Sequence, residues 1–234
     1  MIAVMTEIIA HRGASREFPE NTLAAFARAL EQGADGIELD VHATRDGVVI
    51  VHHDASVSEA PGSPGGRSRA LSAMSSAQVS AIRLSNGEPI PTLDDALALI
   101  GNRAAVYVEV KAAAIEQALV CCLDRHPAAR CAVHSFDHRI PMSVRAARSG
   151  TLVGLLSASY PLDVASQLRP AHADAWWQQA DLIDSALVQA VHAEGARVIA
   201  WTVNDPAHAR ALIAIGVDAL CTDTPGILRA RLAG

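Results

Sequence analysis

The sequence predicts an α/β chain folded as a (β/α)8 TIM barrel, with an extra hairpin strand and a short insertion after the second barrel strand. Three observations carry this. Short β-branched apolar runs alternate with amphipathic stretches at helical spacing, the pattern of a parallel sheet with helical crossovers. Eight such runs fit into 234 residues, the scale of one barrel. No Gly-rich dinucleotide turn follows the first run, which weakens the alternative of a doubly wound open sheet. Residues 1–234 are therefore read as one barrel domain with a small insertion at about 54–91.

The first strand is Glu7 to Ala10, running into His11-Arg12-Gly13. Pro19-Glu20-Asn21-Thr22 starts a helix, with Asn21 or Thr22 as N-cap. Leu23, Phe26, Ala27 and Leu30 recur at helical spacing, and Gly33 stops the helix. The second strand, Gly36 to Val41, alternates Ile37, Leu39 and Val41 with Glu38, Asp40 and His42, so both acids and His42 share a face. That face suits a cavity or a metal; a solvated hairpin face is the other reading of the same pattern. Asp46-Gly47 is a turn signal, and the Val48 to His53 strand returns antiparallel, bringing His53 back beside Asp40. His52 points the opposite way from His53. Within the insertion, Pro61-Gly62-Ser63-Pro64-Gly65-Gly66 reads as a loop, Ser75 to Ile82 as a short helix and Asn86-Gly87 as a turn. So long an excursion after a barrel strand is more often functional than idle.

Thr92 caps a helix through Leu99 and Ile100. The remaining strands are Ala105 to Val110, Cys131 to Ser135, Leu152 to Leu156, Ala173 to Trp177, Arg197 to Val203 and Asp218 to Thr222. Helical patterns lie between them, as at Ile115 to Leu123, Ser185 to Ala193 and Pro206 to Ile215, and a last helix covers Gly226 to Leu232. Asn204 is placed to cap the helix beginning near Pro206.

Composition narrows the function. With 25 acidic against 19 basic residues the formal charge is −6, which disfavours nucleic acid as a partner, because phosphate backbones need a basic surface. No apolar run reaches the ~20 residues of a membrane helix. Met1 to Ala10 lacks a basic n-region and reads as a strand rather than a signal peptide. Cys121, Cys122, Cys131 and Cys221 lack zinc-type spacing, and two are adjacent; reduced thiols in a cytoplasmic protein are the expectation.

Active sites of such barrels sit at the C-terminal ends of the strands. There the sequence places His11 and Arg12, then Glu38 and Asp40, then Glu109 and Lys111, and further round Ser157, Gln178 and Thr202-Val203-Asn204. Tyr107, Glu109 and Lys111 alternate with Val106, Val108 and Val110, so the acid and the lysine face the interior together. A lone inward acid is satisfied by a salt bridge, but three in one mouth repel and raise one another's pKa values. A divalent cation resolves the repulsion, and an all-oxygen set points to Mg²⁺ or Ca²⁺.

His11-Arg12-Gly13, Pro19-Glu20-Asn21-Thr22, Gly33 to Val41, Asp46-Gly47, His53-Asp54, Ile90-Pro91-Thr92-Leu93, Glu109-Val110-Lys111, Ser135-Phe136, Trp201 to Asp205 and Thr222-Asp223-Thr224-Pro225 occur in this order from about residue 8 to about 228. Together they resemble the glycerophosphodiester phosphodiesterase family. The resemblance implies a barrel enzyme that uses a divalent cation to hydrolyse glycerophosphodiesters to glycerol 3-phosphate and an alcohol. Carried over by motif, the metal ligands are Glu38, Asp40 and Glu109, the acid–base pair is His11 and His53, and Arg12 and Lys111 hold the phosphate. Trp201 is an apolar wall for glycerol or a core side chain. His42 is read as backing the pocket, and His134 as touching substrate or filling the barrel.

The chemistry needs these types. A phosphodiester monoanion repels a nucleophile until its charge is neutralised by a metal, an Arg fork and a Lys. By analogy with related barrel phosphodiesterases, the glycerol hydroxyl next to the esterified carbon supplies the nucleophile, giving a cyclic phosphate that water then opens. Histidine serves both proton transfers because its pKa lies near neutrality; His11 is assigned as the first base and His53 as the first acid. The chain departs from the family after His53-Asp54, where Ala55-Ser56-Val57-Ser58-Glu59 replaces a Thr- and Arg-containing stretch, so the head group stays open. Aromatic residues are only 3% of the chain, which argues against a large lipid pocket. The alternatives are phospholipase D-like cleavage of lysophospholipids and a catalytically silent barrel that binds phosphate esters; retention of both histidines speaks against the second.

Overall fold

The computed structural model describes residues 6–58 and 68–233; the expected loop at 61–66 lies outside them. Along the chain the strands are β1 (Glu7–His11), β2 (Gly36–Ala43), β3 (Val49–Val51), β4 (Ser56–Ser58), β5 (Ser68–Ala70), β6 (Ala105–Val110), β7 (Cys131–Ser135), β8 (Leu152–Ser157), β9 (Ala175–Gln179), β10 (Arg197–Trp201) and β11 (Ala219–Thr222). The helices are α1 (Leu23–Glu31), α2 (Ser76–Ser80), α3 (Leu93–Ile100), α4 (Glu116–Arg125), α5 (Arg139–Ala147), α6 (Ala165–Ala171), α7 (Ser185–Ala193), α8 (Pro206–Ala214) and α9 (Pro225–Ala233).

The strands run β1-β11-β10-β9-β8-β7-β6-β2 in parallel, and β1 pairs with β2 as well. That last pairing closes the ring and excludes the open sheet. Alternation along each strand then sorts side chains. Ile9, Tyr107, Leu156, Trp177, Ile199 and Cys221 fill the interior. Val106, Val108 and Val110 pack outward beneath Leu97, Ile100 and Leu119. On the other side Val198, Ala200 and Leu220 meet Leu187, Val191 and Leu212. Both faces of the ring are buried, as parallel sheets require.

Thr22 is the N-cap of α1, accepting from the Ala25 amide at 3.1 Å; Asn21, the other candidate, is recruited to the site. Strand ends moved where local chemistry intervened. β9 runs Ala175–Gln179 rather than 173–177, its register with β10 pairing Ala175 to Arg197 and Gln179 to Trp201. β10 stops at Trp201 rather than Val203, and Val203 packs in the outer cluster. One interior position requires glycine. A Cβ on Gly154 would stand 2.7 Å from Trp177 Nε1 and 3.3 Å from His134 Cβ, and Gly154 is the register partner of His134. Its bare backbone leaves room for these two rings to stack.

β2 outreaches its neighbours. Its pairing with β6 ends at Val41, yet it continues to Ala43. The projecting end carries β3, antiparallel, with Val41 opposite Val51 and Ala43 opposite Val49. This register sets His52 opposite Asp40, their ladder closed by the His52 amide on the Asp40 carbonyl at 2.9 Å. His53 is therefore one residue beyond Asp40 rather than beside it. The described part of the insertion has its own core, where Val57, Leu71, Met74, Val79, Ile82 and Ile90 close on Ile50. The turn residue Asp46 ties it down, accepting from the Ser76 amide and hydroxyl, each at 2.8 Å. α2 begins in a capping box of Ser75 and Gln78.

Candidate active site

A pocket of about 120 Å³ opens at the C-terminal end of the ring, lined by His11, Arg12, Glu38, His53, Glu109, Lys111, His134, Phe136, Leu156, Trp177, Trp201 and Cys221. A larger depression of about 1050 Å³ lies at the opposite end. There Glu7 is bonded to Tyr107 at 2.8 Å and to Arg197 at 2.6 Å, and none of the predicted site residues line it.

Every predicted site residue except Asp40 lines the smaller pocket. Asp40 lies beneath it, fully buried. Its Oδ2 accepts from Asn21 Nδ2 at 2.8 Å and lies 3.0 Å from Arg12 Nε, while Oδ1 lies 3.1 Å from Lys111 Nζ. Lys111 also reaches Glu109 Oε1 at 2.7 Å. Arg12 Nη1 grips Glu20 at 2.9 and 3.1 Å, and its amide donates to Glu38 Oε2 at 3.1 Å. Arg12 holds a positive φ of 55° and is followed by Gly13 at 84°. A Cβ on Gly13 would fall 2.7 Å from the Ala25 backbone, so the sharp turn after β1 that lets the Arg12 amide face Glu38 needs glycine.

The three acids differ electrostatically. Burial, with repulsion from Asp40 and Glu109, raises the Glu38 carboxyl well above its ordinary value. Glu109 is also raised, by burial and by Asp40. Asp40 goes the other way: burial pushes it up, but the Arg12 and Lys111 cations and the Asn21 amide bring it below its ordinary value. The expectation that the acids raise one another thus holds for two and fails for Asp40, because both cations bracket it. Glu38, Glu109 and His134 bring donor atoms within 4.8 Å of one another. Among the described residues, Glu38 Oε1 and His134 Nδ1 are buried with no hydrogen-bond partner. His134 stacks on Trp177, ring centroids 4.1 Å apart and planes 3° from parallel, and burial pushes its pKa down to about 3.

A sequence profile described as the glycerophosphoryl diester phosphodiesterase family matches residues 11–227. The chain belongs to that family.

Among curated relatives, a glycerophosphodiester phosphodiesterase of Caldanaerobacter subterraneus subsp. tengcongensis is 32% identical over 95% of this chain and 96% of its own. Among solved structures, a glycerophosphodiester phosphodiesterase from Parabacteroides distasonis is 25% identical, with a TM-score of 0.83 and coverage of 97% of both chains. A phosphodiesterase from Oleispira antarctica, solved in complex with the product sn-glycerol-3-phosphate, shares the fold at a TM-score of 0.89 and 24% identity, again over 97% of each chain. Membership in the glycerophosphoryl diester phosphodiesterase family makes the chain a phosphodiesterase.

Within this phosphodiesterase both pocket histidines are held the same way. His11 Nδ1 lies 2.7 Å from Asp223 Oδ1, and His53 Nδ1 lies 2.9 Å from Asp54 Oδ1. Each imidazole thus meets a carboxylate at Nδ1 and has Nε2 as its other ring nitrogen. His42, buried behind them, meets the His53 carbonyl with Nε2 at 3.1 Å, and His52 is half-buried outside the pocket lining. Asn204 does not cap α8; Asp205 does, accepting from the Ala207 and His208 amides. Asn204 instead donates to Asp223 Oδ2 at 2.7 Å and accepts from the Asp223 amide at 2.9 Å. Asp223 and Asn204 are the functional positions whose part sequence reasoning missed. The only signal was Asp223 in a quoted motif, and its partner is 212 residues away in the chain. Phe136 was missed likewise; it lies edge-on to Trp201 at 5.6 Å and forms a half-exposed lip.

Asp223 makes a pH prediction. Burial raises its pKa, but bonds from His11, Asn204 and Ser15 bring it down to about 2. The unfolded chain, titrating at ~3.9, takes up this proton first as pH falls. The resulting stabilisation, about 2 kcal/mol, is complete above ~pH 5 and is lost as pH falls toward 2. Urea unfolding between pH 6 and pH 2.5 should show a smaller acid loss in Asp223→Asn than in the parent; equal slopes would remove Asp223 from the account.

Proposed function

We propose that this phosphodiesterase hydrolyses glycerophosphodiesters to glycerol 3-phosphate and an alcohol, with a divalent cation bound by Glu38, Asp40 and Glu109 and proton transfers by His11 and His53. The observation that carries this is one pocket in which two carboxylate-backed histidines face buried acids and two cationic side chains. The acids fit a cation. Glu38 Oε1 is buried without a hydrogen-bond partner among the described residues. Among the described residues Asp40 Oδ1 likewise has no hydrogen-bond partner, its ion-pair partner being the Lys111 ammonium at 3.1 Å. When bound, a divalent cation neutralises charge on the phosphoryl oxygens. The carboxylates are the kind of oxygen set that takes Mg²⁺ or Ca²⁺.

The chain's own groups do the rest. Lys111 and Arg12 face the pocket with donors not committed to their carboxylates, and these hold the phosphate. Trp201 and Phe136 wall the glycerol side. His11, the less exposed histidine at 20% against 37% for His53, takes the proton of the attacking glycerol hydroxyl. His53, nearer the open side, gives its proton to the alcohol as the P–O bond breaks. In the second step His53 takes a proton from water attacking the cyclic phosphate, and His11 returns its proton to the ring oxygen that leaves. Asp223 and Asp54 hold the Nδ1 protons, so the exchange runs through Nε2. Partners are small molecules; no helix of the described residues is long and apolar enough to cross a membrane. The cytoplasm is our proposed compartment, on the cysteine spacing.

The apolar lip of Phe136 on Trp201 favours one second reading, cleavage of lysophospholipids. One assay separates the cases: purified protein with glycerophosphocholine, glycerophosphoethanolamine, glycerophosphoglycerol and lysophosphatidylcholine, with and without chelator. We expect glycerol 3-phosphate from the water-soluble diesters only when metal is present. Turnover of the lipid alone selects the second reading, and phosphate-ester binding without turnover makes the barrel silent.

A further inference from the structure

We propose that His134 is a ligand of the catalytic cation, so that this site is a mixed imidazole–carboxylate site selecting a later first-row transition-metal ion such as Co²⁺ over Mg²⁺ or Ca²⁺. The inference rests on the metal-dependent reading above and deepens it.

Three observations carry it. Glu38, Glu109 and His134 are all buried, and their donor atoms lie within 4.8 Å of one another. Bonds of ~2.1 Å set octahedral donors about 3 Å apart in cis positions and about 4.2 Å apart in trans, so at most one of the three pairs stays near 4.2 Å and the others close to about 3 Å, a contraction of at most about 1.8 Å from the 4.8 Å limit. Secondly, the imidazole is 1% exposed and Nδ1 has no hydrogen-bond partner among the described residues. Buried polar nitrogens without partners are rare, and a cation would satisfy an imidazole nitrogen that no other described residue does. Thirdly, the ring is fixed before any ion arrives. It lies flat on Trp177, and that stack exists because Gly154, its register partner, carries no Cβ. A ligand oriented by packing loses little entropy on binding.

The donor set decides the ion. Mg²⁺ and Ca²⁺ prefer oxygen throughout, whereas an imidazole nitrogen favours later divalent ions in the first transition row. His134 therefore shifts preference without adding charge to a site already holding three acids.

The test uses the whole chain, with Mn²⁺ as the spectroscopic probe and Co²⁺ and Ca²⁺ for the affinities. Electron spin-echo modulation of the Mn²⁺ protein should show coupling to a ligand ¹⁴N, and that coupling should vanish in His134→Phe, which keeps a ring against Trp177. By calorimetry, Co²⁺ should bind the parent at least ~10-fold more tightly than Ca²⁺. His134→Phe should lose about that factor for Co²⁺ and little for Ca²⁺. If His134→Phe fails to fold by circular dichroism, His134→Gln replaces it, and the parent spectrum needs no variant. Mn²⁺ bound to the parent without ¹⁴N coupling, or with coupling that survives the substitution, overturns the His134 assignment and leaves the metal-dependent reading standing. A parent that binds none of Mn²⁺, Co²⁺, Mg²⁺ and Ca²⁺ overturns both.

Discussion

His11→Ala and His53→Ala should each lower kcat by at least ~10²-fold, and the double variant should be little worse than the poorer single. In the proposed scheme the two rings serve one proton cycle: what one accepts in the first step it returns in the second, so removing either breaks both steps. Losses from groups acting as a unit do not add. The geometry gives both the same support, a carboxylate at Nδ1 at 2.7 Å for His11 and 2.9 Å for His53. Neither ring bonds Glu38, Asp40 or Glu109, so calorimetric metal affinity should be kept in both variants. Near-normal turnover by His53→Ala would make His53 structural and turn attention to His52 and His42. A double variant that loses the full product of the two factors would show independent action and sink the coupled scheme.

Asp40→Asn should cost both stability and activity. Its carboxylate is fully buried and stands between Arg12 at 3.0 Å and Lys111 at 3.1 Å. An amide of the same shape keeps the packing but withdraws the charge that both cations share, and an uncompensated buried cation is expensive. Because Arg12 keeps Glu20 and Lys111 keeps Glu109, the loss should fall near the low end for a broken buried pair, about 3 kcal/mol. Urea unfolding at pH 7 measures it. The same change releases the two side chains proposed to hold phosphate, so kcat/KM should fall at least ~10²-fold. An unchanged unfolding midpoint would mean that the cations re-pair within the pocket and that Asp40 is not the keystone of the layer.

How much was legible follows from the range of each interaction. Glu38 and Glu109 were placed inward by two-residue alternation on β2 and β6, and they are inward. His11 and Lys111 were placed at strand ends by the barrel rule, and they line the pocket. The hairpin return was read from Asp46-Gly47, but its register was not. One residue of register exchanges His53 for His52 opposite Asp40, and only the pairing of Val41 with Val51 decides it.

Local pattern, then, determined the barrel class, the inward acids and the strand-end position of His11, because strand periodicity and turn chemistry act over a few residues. Tertiary structure alone decided what each charged group meets. Asn204 looks like a helix cap beside Pro206, yet its amide is taken by Asp223. Asp223 becomes the partner of His11 only when β11 closes against β1 across 212 residues. Asp40 shares its strand face with Glu38, but ends with a lowered pKa while Glu38 ends with a raised one. The physical reason is that alternation fixes only which face a side chain takes. Its charge state follows from burial and from the cations that other strands bring within about 3 Å, and those are set by ring closure.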